Sequence, residues 1–301
     1  MSLVACDSEM QSHHFDLEAY PHTVSLFGKF LLPQNRTLIR VEPIVINPYQ
    51  YQVEIEDMYG KIVVIAPSEI KSEKTIYWKS GYIDFQSIKR LKNEIRRSGI
   101  GLINENKFSL VPGSNYKLRK RIIDEFLRND QSVKLAGKNW DRSAVWHLRK
   151  QASAFRIASK FSSKLDLTQF QRPLNLKSPS LEYFGQVDSA IGFLSECKFA
   201  IVVENESTYV SEKLLNAIIA GCIPLYVGAE LSDYEIPEEV VVIMNNSPKL
   251  FRESVVNISE SHCKSILAKG QEWISSQEAI NRWSVHKGFE RLIEIIKIRS
   301  R

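Results

Sequence analysis

The chain lacks most of the features that narrow a function at a glance. It has 4 cysteines in 301 residues, Cys6, Cys197, Cys222 and Cys263, and no CxxC pair. That scatter indicates neither a zinc site nor a disulfide framework. Cys197 and Cys222 flank apolar runs and read as small core residues. No apolar run reaches the ~20 residues that cross a bilayer, and the N-terminus has no signal-peptide core. The expectation is a soluble, cytoplasmic protein. The charge imbalance is slight: 40 Lys and Arg against 35 Asp and Glu, a net +5. It suits a polyanionic ligand or an acidic surface and is too weak to argue for nucleic acid. There is no internal repeat and no low-complexity segment. What is present is a globular composition, 44% hydrophobic and 25% charged, in a chain long enough for two domains.

Residues 1–22 show no clear period. His13 and His14 have no third ligand at metal-site spacing, so no metal is expected there. Strands are expected at 23–32, 37–41 and 61–66. Glu42-Pro43 and Asn47-Pro48 hold the chain extended after the second of these. A helix is expected over 83–97. Ser98-Gly99-Ile100-Gly101 marks a break, which puts an N-terminal domain at 1–100 and a second domain at 101–283. The second should open with a strand at 107–111. A helix at about 115–128 follows, with Leu118, Ile122, Ile123 and Phe126 as its core stripe.

That helix carries Lys117, Arg119, Lys120 and Arg121 in its early turns, where positive charge opposes the dipole. An anionic ligand would remove the conflict; a solvated basic face is the commoner outcome. A strand and turn are expected at 133–140. Residues 144–164 read as a basic amphipathic helix with Trp146, Phe155 and Phe161. Contact with a membrane surface is open to such a helix, but nothing further indicates it, and a solvated outer face is more ordinary. Helices are expected near 188–195, 248–258 and 264–275, with a strand at 240–244. Residues 284–301 form a terminal helix with Val285, Phe289, Leu292, Ile293 and Ile296 on one face.

Residues 198–228 organise the rest. Residues 199–203 are a continuous apolar run, as in a strand buried on both faces. A polar loop, 204–209, comes next. Ser211 can cap a helix whose first turn holds Glu212. Leu214, Leu215, Ile218 and Ile219 recur at helical spacing, Gly221 supplies a left-handed stop, and 223–227 is a second buried strand. In a parallel sheet the loop of such a βαβ unit lies where ligands bind. Glu212 can accept two hydroxyl hydrogen bonds, as a ribose offers, and Lys213 can neutralise a phosphate. A solvated loop with a capping glutamate is the plainer alternative. Asn35-Arg36-Thr37 and Asn205-Glu206-Ser207 match glycosylation sequons and read as chance matches.

Glu204-Asn205, then Tyr209-Val210-Ser211-Glu212-Lys213, then Ala220-Gly221-Cys222-Ile223-Pro224-Leu225-Tyr226-Val227-Gly228 resembles the donor-site signature of the α1,3/1,4-fucosyltransferases. The match is ordered over about thirty residues, more specific than a lone glycine motif. Ser211 stands where that family has Thr and keeps the hydroxyl. The resemblance implies an α/β protein of GT-B type: two Rossmann-like domains facing a cleft, with the first domain short. It implies a C-terminal helix, 284–301, that crosses back to the first domain. It implies an inverting glycosyltransferase that moves fucose from GDP-fucose to a glycan hydroxyl, with no essential cofactor and no metal. Asn205, Tyr209, Glu212 and Lys213 inherit the donor-binding role. The segment Ser114-Asn115-Tyr116-Lys117-Leu118-Arg119 is similar to the family's loop and phosphate-contacting Arg, which assigns Arg119 to the donor.

The chain has no Asp-x-Asp, the motif with which metal-dependent glycosyltransferases of the other main fold hold a divalent ion. Cationic side chains would then stabilise the leaving diphosphate. An inverting transfer also needs a base. The family places a Glu after a strand of the first domain, near a Pro, and Glu42 fits that description; Glu54, Glu56 and Asp57 come next. A salt bridge between Glu42 and Arg40, or simple exposure of Glu42, is the structural alternative. Two other functions stay open: the same fold with another nucleotide-sugar, and a nucleotide-binding or interaction module without transfer activity, which the short first domain favours.

Overall fold

A computed structural model describes residues 2–3, 15–16, 24–25, 37–46, 48–57, 59–86, 98–109, 111–142 and 174–297. The helix expected at 144–164 lies outside them, as do residues 87–97 of the helix expected at 83–97, His13, His14, and the sequon residue Asn35. The chain divides into two compact units, 1–86 with 280–301, and 87–279.

In the first unit β1 (Ser2–Leu3) pairs antiparallel with β2 (Phe15–Asp16). A parallel sheet runs in the order β3 (Val24–Ser25), β4 (Thr37–Arg40), β5 (Lys61–Val64), β6 (Thr75–Tyr77). A short turn of helix, α1 (Val53–Glu56), lies between β4 and β5. Every residue of β4 and β5 is buried, as expected where both faces of a parallel strand are covered.

The terminal helix of the chain belongs to this unit. Trp78 Nε1 donates to the carbonyl of Gly288 at 2.8 Å, and Lys61 Nζ donates to the carbonyl of Ile295 at 2.7 Å. The lysine therefore satisfies a carbonyl at the negative end of that helix. A Cβ on Gly288 would stand 2.5 Å from the amide of Gly81, and one on Gly81 would stand 1.9 Å from the carbonyl of Ser284. Backbone meets backbone there, and only glycine at both positions permits it.

The second unit is a six-stranded parallel sheet. Its strands are β7 (Ile100–Ile103), β8 (Val133–Ala136), β9 (Leu181–Gly185), β10 (Phe199–Val203), β11 (Ile223–Val227) and β12 (Val242–Ile243). Their spatial order is β12-β11-β10-β7-β8-β9. The chain moves outward from β7 through β8 to β9, then returns beside β7 with β10 and moves outward the other way. The order reverses between β7 and β10, which makes their carboxyl ends the topological switch point.

Helix α2 (Tyr116–Arg128) connects β7 to β8 and buries Leu118, Ile122, Ile123 and Phe126. Each such side chain contributes about 1.5–3 kcal/mol by leaving water. Helix α3 (Ala190–Leu194) precedes β10, and α4 (Glu212–Ile219) joins β10 to β11. After β12 come α5 (Pro248–Asn257), α6 (Glu260–Ile274), α7 (Gln277–Trp283) and α8 (Val285–Lys297), the last being the terminal helix.

The first strand of this unit is not where the residue pattern put it. It is Ile100–Ile103, and 104–109 is irregular. Gly99 and Gly101 look like a break. Gly99 does turn the chain at φ +100, but Gly101 is a packing glycine: a Cβ there would lie 2.7 Å from Cys197 Sγ. The apolar Phe108 and Val111, which suggested a strand, are buried along the crossing loop instead.

Candidate functional site

Strand β10 ends at the switch point, and its next residue, Glu204, is fully buried. The Glu204 amide donates to the carbonyl of Val227 at 2.8 Å, one more rung of the ladder to β11. Its carboxylate reaches across the loop and accepts from the amide of Ser211 at 2.9 Å and from the Ser211 hydroxyl at 2.7 Å. The loop is thereby tied closed at the start of α4. Ser211 Oγ also accepts from the Lys213 amide at 3.4 Å, the capping contact expected of it, and from Lys213 Nζ at 2.9 Å.

Asn205 is buried, and its carbonyl and both side-chain polar atoms are hydrogen-bonded. Its carbonyl accepts from the Asn115 amide at 2.8 Å, its Oδ1 accepts from Arg119 Nη2 at 2.7 Å, and its Nδ2 donates to the Tyr209 hydroxyl. Arg119 is 2% exposed. Its Nε and Nη2 donate to the carbonyl of Val203 at 3.0 and 2.6 Å. In this arrangement the guanidinium braces the end of β10 and the amide of Asn205. Burial lowers the Arg119 pKa, against the pull of Tyr116, Tyr209, Glu204 and Glu212.

Lys213 and Glu212 reach further out. Their side chains are 20% and 30% exposed and lie 3.2 Å apart, and Lys213 Nζ is also 3.9 Å from Glu204. Burial works against the charge on Lys213, but Glu212 and Glu204 outweigh it and raise its pKa. Burial likewise works to raise Glu212, yet Lys213 overcomes this and holds the carboxyl below its ordinary value, with help from Lys107. Glu204 goes the other way. Burial raises its pKa, Lys213 opposes the rise and Glu212 adds to it. Gly228 closes the motif for a steric reason: a Cβ there would sit 2.2 Å from the Tyr226 hydroxyl and 2.8 Å from Glu204 Cγ.

Five of the residues expected to bind a donor therefore come together in the second unit: Arg119, Asn205, Tyr209, Glu212 and Lys213. The N-cap of α2, Asn115, is joined to the loop after β10 by the Asn115–Asn205 hydrogen bond. Three further residues contribute to which the sequence assigns no role, although Glu204 and Asn115 stand in the family-like segments. Glu204 is the tie that shapes the loop, Asn115 joins the two crossover loops, and Lys107 brings a further positive charge towards Glu212. A lone Lys or Asn in an irregular loop carries no periodic signal. Asn115 stands out only through the family-like segment 114–119.

Glu42 belongs to the first unit, just beyond β4. Its carbonyl accepts from the Tyr51 hydroxyl at 3.1 Å. Arg40 pairs with Glu56 at 2.6 Å and bonds the carbonyl of Gln50. Asp57 lies 3.5 Å from Lys74, and Glu54 is exposed. Among the described residues no group of three His, Cys, Asp or Glu is placed to hold a metal ion, and no helix is long and apolar enough to cross a membrane.

No protein family and no curated protein matches the sequence. Solved structures do. Anabaena Alr3699/HepE in complex with UDP and glucose is 9% identical, with a TM-score of 0.53 over 87% of this chain and 71% of that one. A trehalose-6-phosphate synthase is 12% identical, with a TM-score of 0.50 over 88% and 69%. An α1,3-fucosyltransferase with GDP is 11% identical, with a TM-score of 0.48 over 88% and 75%. At such identities a likeness shows the fold alone. With its two parallel α/β units, this chain has the GT-B fold of glycosyltransferases.

Proposed function

We propose that the protein is an inverting glycosyltransferase that binds GDP-fucose at the switch point of its second unit and transfers fucose to a glycan hydroxyl. One observation carries the reading. The five residues of the fucosyltransferase-like segments, drawn from two separate crossovers, form two bonded groups, Arg119–Asn205–Tyr209 and Glu212–Lys213, linked through Glu204 and Ser211 at the edge where parallel sheets bind ligands.

Lys213, partly exposed at the start of α4, would neutralise the diphosphate. The helix N-termini would add oriented amides. Glu212, held ionised beside Lys213, would accept two ribose hydroxyls. Arg119 and Asn205 would set the shape of the site from beneath. In the transfer the acceptor oxygen bonds to C1 of fucose and the C1–phosphate oxygen bond breaks. The electron pair leaves with GDP, and the acceptor proton passes to a carboxylate, for which Glu42 is the candidate.

The test is calorimetric titration with GDP, GDP-fucose, UDP and UDP-glucose, followed by acceptor-dependent release of the nucleoside diphosphate from a glycan panel. Selective binding of GDP and GDP-fucose with acceptor-dependent GDP release is expected. Preference for the uridine ligands would keep the fold and change the donor. Binding without release would leave a nucleotide-binding module.

A further inference from the structure

We propose that Asn115 binds the donor directly, its side-chain amide donating to an oxygen of the diphosphate. This rests on the nucleotide-sugar reading of the same site. Asn115 is 7% exposed, and its Nδ2 has no hydrogen-bond partner among the described residues. Its backbone is fully employed. The amide donates to the carbonyl of Asn205 at 2.8 Å, and the carbonyl accepts from the amide of Leu118 at 3.0 Å. The side chain does not cap α2. That task falls to its neighbour, since Ser114 Oγ accepts from the Tyr116 amide at 3.4 Å.

A buried amide without a partner destabilises the empty protein, so a role in packing or capping does not account for it. Its surroundings indicate what it awaits. It stands at the N-terminus of a 13-residue helix, one turn before the Arg119 guanidinium and bonded to the residue next to Glu204. Positive potential and a spare N–H together select an anionic oxygen. The same sheet edge holds a buried acceptor that a hydroxyl or N–H of the donor could satisfy. Asn104 follows the last residue of β7, is 5% exposed, and its Oδ1 likewise has no hydrogen-bond partner among the described residues. Two unsatisfied amides on one crossover mark a surface completed by a ligand.

The experiment pairs urea unfolding of the ligand-free protein with GDP titration, for wild type, Asn115→Ala and Asn115→Asp. The alanine variant loses no internal side-chain hydrogen bond, so its unfolding midpoint should stay level or rise. Its GDP dissociation constant should rise about tenfold, the loss of one hydrogen bond to a charged group. Aspartate keeps the size and is at home at a helix start, but it repels the diphosphate, so its loss should exceed that of alanine. A lowered midpoint with unchanged GDP affinity would mean a structural role and overturn the proposal. Should the alanine variant fail to fold, the aspartate variant decides, since wild-type affinity there overturns it equally. A wild-type protein that binds no nucleoside diphosphate would instead remove the glycosyltransferase reading itself.

Discussion

Lys213 and Arg119 are both cations of the proposed donor site, and the structure gives them different work. Lys213 is partly exposed and bonds Ser211 Oγ; Arg119 is enclosed and braces Val203 and Asn205. Lys213→Ala should leave a folded protein whose GDP affinity falls by roughly 1.5–3 kcal/mol, the value of a charge-assisted hydrogen bond, with the loss shrinking as salt is added. Arg119→Ala should lose affinity and stability together, because it strands a buried carbonyl and the Asn205 amide. Unfolding curves with and without GDP separate the two patterns, and equal GDP affinity in both variants and wild type would dismiss the assignment. Glu212 gives a pH dependence. Its folded pKa lies below the ordinary 4.5 because of Lys213. Its ionised form therefore favours folding above about that pH, and the benefit disappears as pH falls through the lower folded value. The stability gap between wild type and Glu212→Gln should be present at pH 7 and close in acid. Glu204, whose pKa is raised, contributes with the opposite slope, so only the difference between the two proteins isolates Glu212.

At the scale of elements, the β10–α4 loop depends on one serine. Ser211 caps α4, donates to Glu204 and receives Lys213 Nζ. Ser211→Ala should cost about 1 kcal/mol for the cap. It should also loosen the Glu204 tie, so a drop in GDP affinity larger than the drop in stability is expected; Ser211→Thr should restore both. Gly228→Ala should destabilise more than an ordinary surface change. Its new methyl would meet Tyr226 and Glu204, neither of which can retreat within a buried strand end. Thermal melts of the two variants test this, and a wild-type melting temperature for Gly228→Ala would contradict the crowding. Much at this scale was legible in the residues. The apolar runs of β10 and β11, the stripe of α4 and the left-handed Gly221 at φ +70 all follow from local rules. The start of the second sheet was not. Gly101 reads as a breaker until Cys197, nearly a hundred residues away, supplies the reason for it.

At the scale of the whole molecule, the last segment of the chain, 280–301, belongs with the first 86 residues. The two units are therefore joined by the chain twice, at 86–87 and at 279–280. The proposed chemistry also uses both units, with the donor residues in the second and Glu42 in the first. Glu42→Gln should keep folding and GDP binding while transfer falls by roughly 10²–10⁴, the usual share of a general base. A Glu42→Gln protein with undiminished turnover in a glycan assay would take Glu42 out of the mechanism. Glu54 would then be the next to test, since Glu56 is held by Arg40 and Asp57 lies beside Lys74.

By itself the sequence determined the βαβ unit at 198–228 and the stripes of α2 and α8, and it singled out the residues proposed here for a donor site. These depend on spacing within one element or between neighbours, and periodicity records them. The tertiary structure decided how those residues are used. It enclosed Arg119 and left Lys213 reachable, made Glu204 a tie, and brought Asn115 and Lys107 to the same sheet edge. The reason is topological: the strand order reverses between β7 and β10, so loops about ninety residues apart in the chain lie side by side. Burial and partner choice are properties of that juxtaposition, and no local pattern of residues encodes them.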